Sequence, residues 1–290
     1  TTDPSVLLAK VFTVQLNLDG SFATSNDTYS FALHQAIDGG QTTFNVQDAG
    51  YDFTGGNDPY SYFNDTITND ANGDQDVLLT PMLYGVSDGT TNTSNIAGGV
   101  GSGNSIGPNE GLRVDYVKGL SGDPTKNVND DYSNLANQDH TFTGHNNVNG
   151  ASVVITSTSG STVMVRAFDD PDGNTRVGDG IQDNITMVEI GYNGETKSYD
   201  IVDGMSPITD TIGGRSFTIT EDGLGVLVAG VQGGSGDSPS LYTTITVFTD
   251  DGLGSVDYTW RAGDTFKVGG FGAAVPIPGE VIELQFDLAL

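Results

Sequence analysis

The chain has no cysteine, 4 methionines and 1 tryptophan in 290 residues. Without cysteine there is no disulfide, no thiolate zinc site and no cysteine nucleophile. Basic residues are also scarce: 10 Lys+Arg stand against 38 Asp+Glu, a formal net charge of −28. Nucleic-acid binding needs a basic face that displaces counterions, and electrostatic docking on anionic lipid needs one too. Neither nucleic acid nor the membrane is therefore an expected partner. No run approaches the roughly 18 apolar residues of a membrane-spanning helix. Helical periodicity is missing as well, since no stretch keeps it beyond two turns.

What remains is a polar but foldable chain. Hydrophobic residues make up 36 % and aromatics 9 %, enough for a core. Glycine and proline (41 and 10) stay below the roughly 25–30 % of low-complexity chains. Period-two alternation recurs along the sequence, which is the mark of half-buried strands. It runs from Val11 to Phe22 with a turn at Asp19-Gly20, and again through Ile282, Leu284, Phe286 and Leu288. Asn184 to Tyr192 and Thr196 to Val202 flank Asn193-Gly194, a pair suited to a type I′ hairpin turn. Ser152 to Phe168 reads as a further strand pair joined around Ser159-Gly160-Ser161. The near-copies Thr220–Gly225 and Thr249–Gly254 read as two hairpin turns with the same Asp and Gly chemistry. The expected fold is all-β: one or more antiparallel β-sandwiches with long Gly/Asn/Asp-rich loops and little helix. The Asn- and Asp-rich stretch 123–150 suggests halves at 1–147 and 148–290, or one continuous domain with a decorated loop.

Two acidic clusters carry metal-ligand chemistry. In Asp169–Asp183, the residues Asp170, Asp172 and Asn174 fall on alternate positions, with Asp179 and Asp183 placed to close a shell. Calcium takes 6–8 oxygen ligands at about 2.3–2.6 Å, and this span offers them in a short loop. The start and end of the loop partly resemble a thrombospondin type 3 calcium loop, although the spacing is too long and Thr175 stands where glycine belongs. The same residues also suit a solvated turn. The second cluster is Asp70, Asn72, Asp74 and Asp76, equally readable as a calcium loop or an acidic turn before a strand. Neither follows the EF-hand pattern. Asp130-Asp131 and Asp250-Asp251 read as solvated turns, and Gly233–Asp237 does not repeat, so no calcium β-roll is expected.

No catalytic constellation stands out, and the chain is not expected to be an enzyme. Gly103-Asn-Ser105-Ile-Gly107 has the G-x-S-x-G spacing, but a Gly/Ser tract precedes it and Pro108 follows. His34, His140 and His145 read as polar loop histidines. Tyr60, Tyr62 and Phe63 beside Asn57, Asp58 and Asn64 suit either a sugar-binding surface or a strand edge.

Several stretches resemble the large repeated domain of giant RTX adhesins exported by type I secretion. They are Asp76–Pro81, Ile106–Asp115, Asn137–His145, Val148–Ser152, Phe168–Asn174 and Gly263–Gly272, in order between residues 76 and 290. Residues 1–75 fit less distinctively. The resemblance implies a secreted, calcium-dependent β-sandwich module at the bacterial cell surface, cut from a longer chain and flanked there by neighbouring modules. Its role would be in adhesion and biofilm formation. Three functions follow as expectations: a structural or ligand-presenting module, a glycan- or protein-binding module for host or biofilm surfaces, or a subunit of an extracellular filament or surface layer.

Overall fold

The computed structural model describes residues 12–17, 28–33, 41–66, 74–83, 89–101, 103–126, 132, 134–171, 173–223, 225–234 and 238–276. The chain divides into two compact units, Thr1–Gln41 with Pro276–Leu290, and Thr42–Val275. In the first, β1 (Phe12–Asn17) pairs antiparallel with β2 (Thr28–Leu33), from Phe12 opposite Leu33 to Asn17 opposite Thr28. The Asp19-Gly20 turn and the strand expected over 281–288 lie outside the described residues.

The second unit begins with β3 (Gln41–Asn45), β4 (Tyr51–Thr54), β5 (Asn57–Asp58), β6 (Ser61–Asp65) and β7 (Asp76–Leu83). There follow β8 (Thr91–Thr93), β9 (Ala97–Val100), β10 (Glu110–Lys118), β11 (Gly144–His145), β12 (Val148–Thr156) and β13 (Thr158–Asp169). Next come β14 (Ile181–Asp183), β15 (Met187–Tyr192), β16 (Glu195–Asp200), β17 (Ile208–Ile212) and β18 (Arg215–Asp222). The last four are β19 (Gly225–Gly233), β20 (Thr243–Leu253), β21 (Ser255–Gly263) and β22 (Lys267–Pro276). One sheet has the path β17-β18-β19-β13-β21-β10-β7-β6-β4, with β11 on β10 and β14 on β13. The other has the path β16-β15-β20-β12-β22-β9-β8-β5, with β3 on β22. The protein is thus all-β, two large antiparallel sheets packed in a sandwich. Residues on either side of position 147 share both sheets, as in β10 with β21 and β9 with β22. Among the described residues, no helix is long and apolar enough to cross a membrane.

Alternation seats the two sheets on each other. Ala151, Val153 and Ile155 of β12 and Val163, Val165 and Ala167 of β13 enter one core with Ile245, Val247, Val228 and Tyr258. β12 and β13 thus line one core from different sheets and are not the edge-paired hairpin expected from the sequence. The chain turns the corner at Ser157, whose φ is +58°. Thr249–Gly254 is corrected in the same way. It is not a hairpin turn, because β20 and β21 also lie in different sheets. Its residues form an irregularity in β20, where the register with β12 jumps between Val148 and Gly150. The Thr220–Gly225 copy does join a pair, with Asp222 opposite Gly225. Asn193 and Gly194, at φ +51° and +78°, make the expected turn between β15 and β16.

The outer face of the larger sheet is not bare. Tyr62 of β6, Leu78 of β7 and Val117 of β10 meet Leu120, Tyr132, Phe142 and Val177 in a second apolar cluster. Leu120, Tyr132 and Phe142, with Val177 from the loop after β13, therefore form a lid over this face. Gln138 clasps that loop, accepting from the Val177 amide and donating to the Val177 carbonyl. In the other sheet, β22 closes on β9 because Gly269 lies against the chain at Ile96. A Cβ there would stand 2.2 Å from the Ile96 carbonyl oxygen. Gly269→Ala is expected to destabilise the unit by about 1–3 kcal/mol through this overpacking. Urea unfolding with an unchanged midpoint would refute it.

Candidate metal centre

At the far end of β13 the chain leaves through the 170–180 loop and returns as β14, with Asp169 opposite Ile181 and Ala167 opposite Asp183. The loop closes tightly: a Cβ on Gly180 would lie 2.6 Å from the Asp169 carbonyl oxygen. The irregularity in β20 brings Asp251 to the same place. Asp169, Asp183 and Asp251 each offer a carboxylate oxygen, and these oxygens lie within 4.8 Å of one another. Opposite ligands of a calcium ion are separated by twice the bond length, about 4.6–5.2 Å, so the spacing suits one ion.

The electrostatics of the trio point the same way. Among the described residues, none of the three forms an ion pair. Burial, with the charges of Asp183 and Asp251, raises the Asp169 pKa above the usual carboxylate range. Asp183 accepts from the Asn184 amide through Oδ1 at 2.6 Å, while its buried Oδ2 has no hydrogen-bond partner. Three mutually repelling carboxylates, one with a buried oxygen left over, form a donor set that a hard divalent cation satisfies.

Of the described residues expected from the sequence in this loop, only Asp183 joins the trio. Asp170 instead approaches His145, with Oδ1 3.8 Å from Nε2. Asn174 and Asp179 are exposed and bond to each other, Nδ2 donating to Oδ2 at 3.3 Å. Asp172 lies outside the described residues. Asp251 is exposed, as expected of a turn residue, yet its carboxylate completes the cluster.

The second expected cluster has other partners. Asp70 and Asn72 lie outside the described residues. Asp76 accepts from the amides of Asp65 at 2.8 Å and Leu120 at 2.6 Å, and Asp74 from that of Gly119 at 2.8 Å. These carboxylates tie the start of β7 to the end of β6 and to the lid. Burial pushes Asp76 up to about 6 even so.

Of the two readings of Tyr60 and Tyr62, burial goes against the sugar-binding surface, since the two residues are 1 % and 9 % exposed. Tyr60 stacks on Tyr132 at 4.8 Å, and the Tyr62 hydroxyl donates to the Gly122 carbonyl. His140 is equally buried, its Nδ1 hydrogen-bonded to the Tyr132 hydroxyl, and burial lowers its pKa to about 4. His34 lies outside the described residues. The Ser105 hydroxyl donates to the Gly103 carbonyl within its loop.

Sequence reading missed a charged layer between the larger sheet and its lid. Arg113 of β10 grips Asp257 of β21 with two bonds, 2.6 Å from Nε and 2.9 Å from Nη2. Its guanidinium carbon sits 4.6 Å from the centre of the Phe168 ring. Asp115, two residues along β10, is buried with an unpartnered Oδ2. Burial pushes its pKa up to about 8, with Arg113 opposing and Asp257 and Asp170 adding to the rise. Only the cross-strand register places Arg113 opposite Asp257, 144 positions away.

Compared with protein-family models, with curated proteins and with solved structures, the chain matches none.

Two predictions follow from the charged layer. Arg113→Ala leaves Asp257 buried and unpaired, which costs about 3–5 kcal/mol by chemical denaturation. The pH response has two opposing parts. Folded Asp115 keeps a proton that the unfolded chain releases, so stability falls as pH rises from about 4 to about 8. His140 stays neutral while an unfolded histidine takes up a proton, so its contribution is lost as pH falls from about 6.5 to about 4. Between about pH 6.5 and 8 the Asp115 effect acts without that of His140. Thermal melts should show a declining Tm across this window that flattens in Asp115→Asn; equal slopes in both proteins would contradict the assignment.

Proposed function

We propose that the protein is a calcium-stabilised module of a large secreted bacterial adhesin, serving surface and cell adhesion in a structural or ligand-presenting role. The observation that carries the reading is the meeting of Asp169, Asp183 and Asp251 from three separate stretches of chain. The series of stretches between residues 76 and 290 that resemble type I-secreted RTX adhesins supports the setting. So does the −28 charge in a chain without cysteine, which needs some staple other than a disulfide.

The proposed mechanism is calcium-gated consolidation. Where calcium is scarce, the three carboxylates repel, and what opposes them is the β13–β14 pairing and the contacts of Val177 with the lid. At the millimolar calcium of the extracellular medium, a site with Kd of roughly 10⁻⁴ M fills. Ten-fold saturation adds about 1.4 kcal/mol, because only the folded chain assembles the site. One ion joins β13, β14 and β20, and so links the two sheets at this end of the sandwich.

Calcium at ten times Kd should therefore raise Tm by about 3–6 °C over excess chelator. Asp251→Asn should remove most of that rise while leaving the melt in chelator unchanged or slightly higher, because it relieves repulsion. A Tm indifferent to calcium would end the proposal.

A further inference from the structure

The outward face of the smaller sheet carries a concavity of about 490 Å³, inside the range of roughly 300–1,000 Å³ typical of small-molecule sites. Its walls include Asn92, Asn104, Thr156, Thr244, Tyr242 and Lys267. A more open depression, walled by Pro108, Trp260 and Thr265, adjoins it at Ser157 and Gly234, which line both, and the two together make the groove considered below. The groove lies at the Thr158 end of β13, whereas the aspartate trio lies at the Asp169 end. Twelve residues of extended strand separate them by about 35 Å.

Three features set this surface apart. First, it is lined by neutral hydrogen-bonding groups in a strongly acidic protein. Among the described residues no carboxylate lines the 490 Å³ concavity, Asp264 alone lines the open part, and Lys267 is the one cation. Second, it carries two amphipathic aromatic rings, Tyr242 and the chain's single tryptophan. The Trp260 indole is oriented by an Nε1–H bond to the Asp264 carbonyl at 3.2 Å. Third, Asn104 at φ +46° and Ser157 at φ +58° hold left-handed backbone here, a strain that collects at ligand sites.

We infer that the groove binds a neutral oligosaccharide. Sugar rings present apolar C–H faces that pack on aromatic rings, and a rim of hydroxyls that both donate and accept. Asn amides and Thr and Ser hydroxyls answer both roles, and the Lys267 ammonium donates to hydroxyl oxygens. A polyanion would meet the field of a −28 protein with a single lysine in its favour. The inference stands apart from the calcium site, since it uses none of the same residues.

The test is an array of immobilised neutral and acidic oligosaccharides probed with the full chain. Each neutral hit is then titrated in solution against the fluorescence of Trp260. The expected result is retention of neutral oligosaccharides and a saturable change in emission. Tyr242→Ala should weaken binding at least ten-fold with Tm unchanged, and Asn104→Gly, which tolerates the backbone at φ +46°, serves if Tyr242→Ala lowers Tm. Three outcomes would overturn the assignment: no neutral oligosaccharide retained, acidic ones alone retained, or wild-type affinity in a folded groove variant. Because Tm in calcium is read separately, failure here leaves the calcium result standing, and the reverse also holds.

Discussion

Most of the structure depends on the burial of β12 and β13 in one core from opposite sheets. Their alternating residues, Ala151, Val153 and Ile155 on one and Val163, Val165 and Ala167 on the other, are all removed from water in one core. Each strand then lies centrally in its own sheet, β12 between β20 and β22 and β13 between β19 and β21. The short Ser157 corner between them opens the groove at one end. The length of β13 carries Asp169 to the other end, where the end of β20 supplies Asp251. A slip of one residue in β13 would turn its apolar set outward and dismantle both places at once.

The surplus of acid is handled in chemically distinct ways according to depth. Asp76 and Asp74 receive backbone amides, which fix the lid to the sheet. Asp257 receives a guanidinium in two-bond geometry, which is the arrangement that best offsets desolvation. Asp115, with the guanidinium already engaged by Asp257, keeps its own proton. Among the described residues, Asp169, Asp183 and Asp251 form no ion pair, and there a divalent cation is the partner in our reading. The −28 charge is thus less uniform than composition implies, since some of these groups are neutralised internally by a proton or a guanidinium.

What the sequence made legible is what depends on neighbours along the chain. The strands around Ser152–Phe168 and the Asn193-Gly194 hairpin follow from alternation and from one turn pair that tolerates positive φ. Pairing partners were less accessible. Strands joined by short links, such as β12–β13 and β20–β21, look like hairpins until the apolar faces are seen to require opposite sheets. The metal centre divides in the same way. Asp183 was found through its loop, whereas Asp251 was read as a solvated turn, because nothing local distinguishes a turn aspartate from one that a bulge delivers to Asp169. Tyr60 and Tyr62 stand among polar neighbours in the sequence, but Leu120, Tyr132, Phe142 and Val177 pack with them in one apolar cluster. No periodicity in β6 announces a second apolar layer.

The central claim is that one calcium ion joins Asp169, Asp183 and Asp251 across the two sheets. The most direct measurement is a crystal structure grown in millimolar calcium, with anomalous scattering collected to identify the ion. The expected result is a peak bound by oxygens of all three aspartates at about 2.3–2.6 Å, with waters or backbone carbonyls completing six to eight ligands. A well-ordered loop with the three carboxylates solvated and no anomalous peak between them would contradict it.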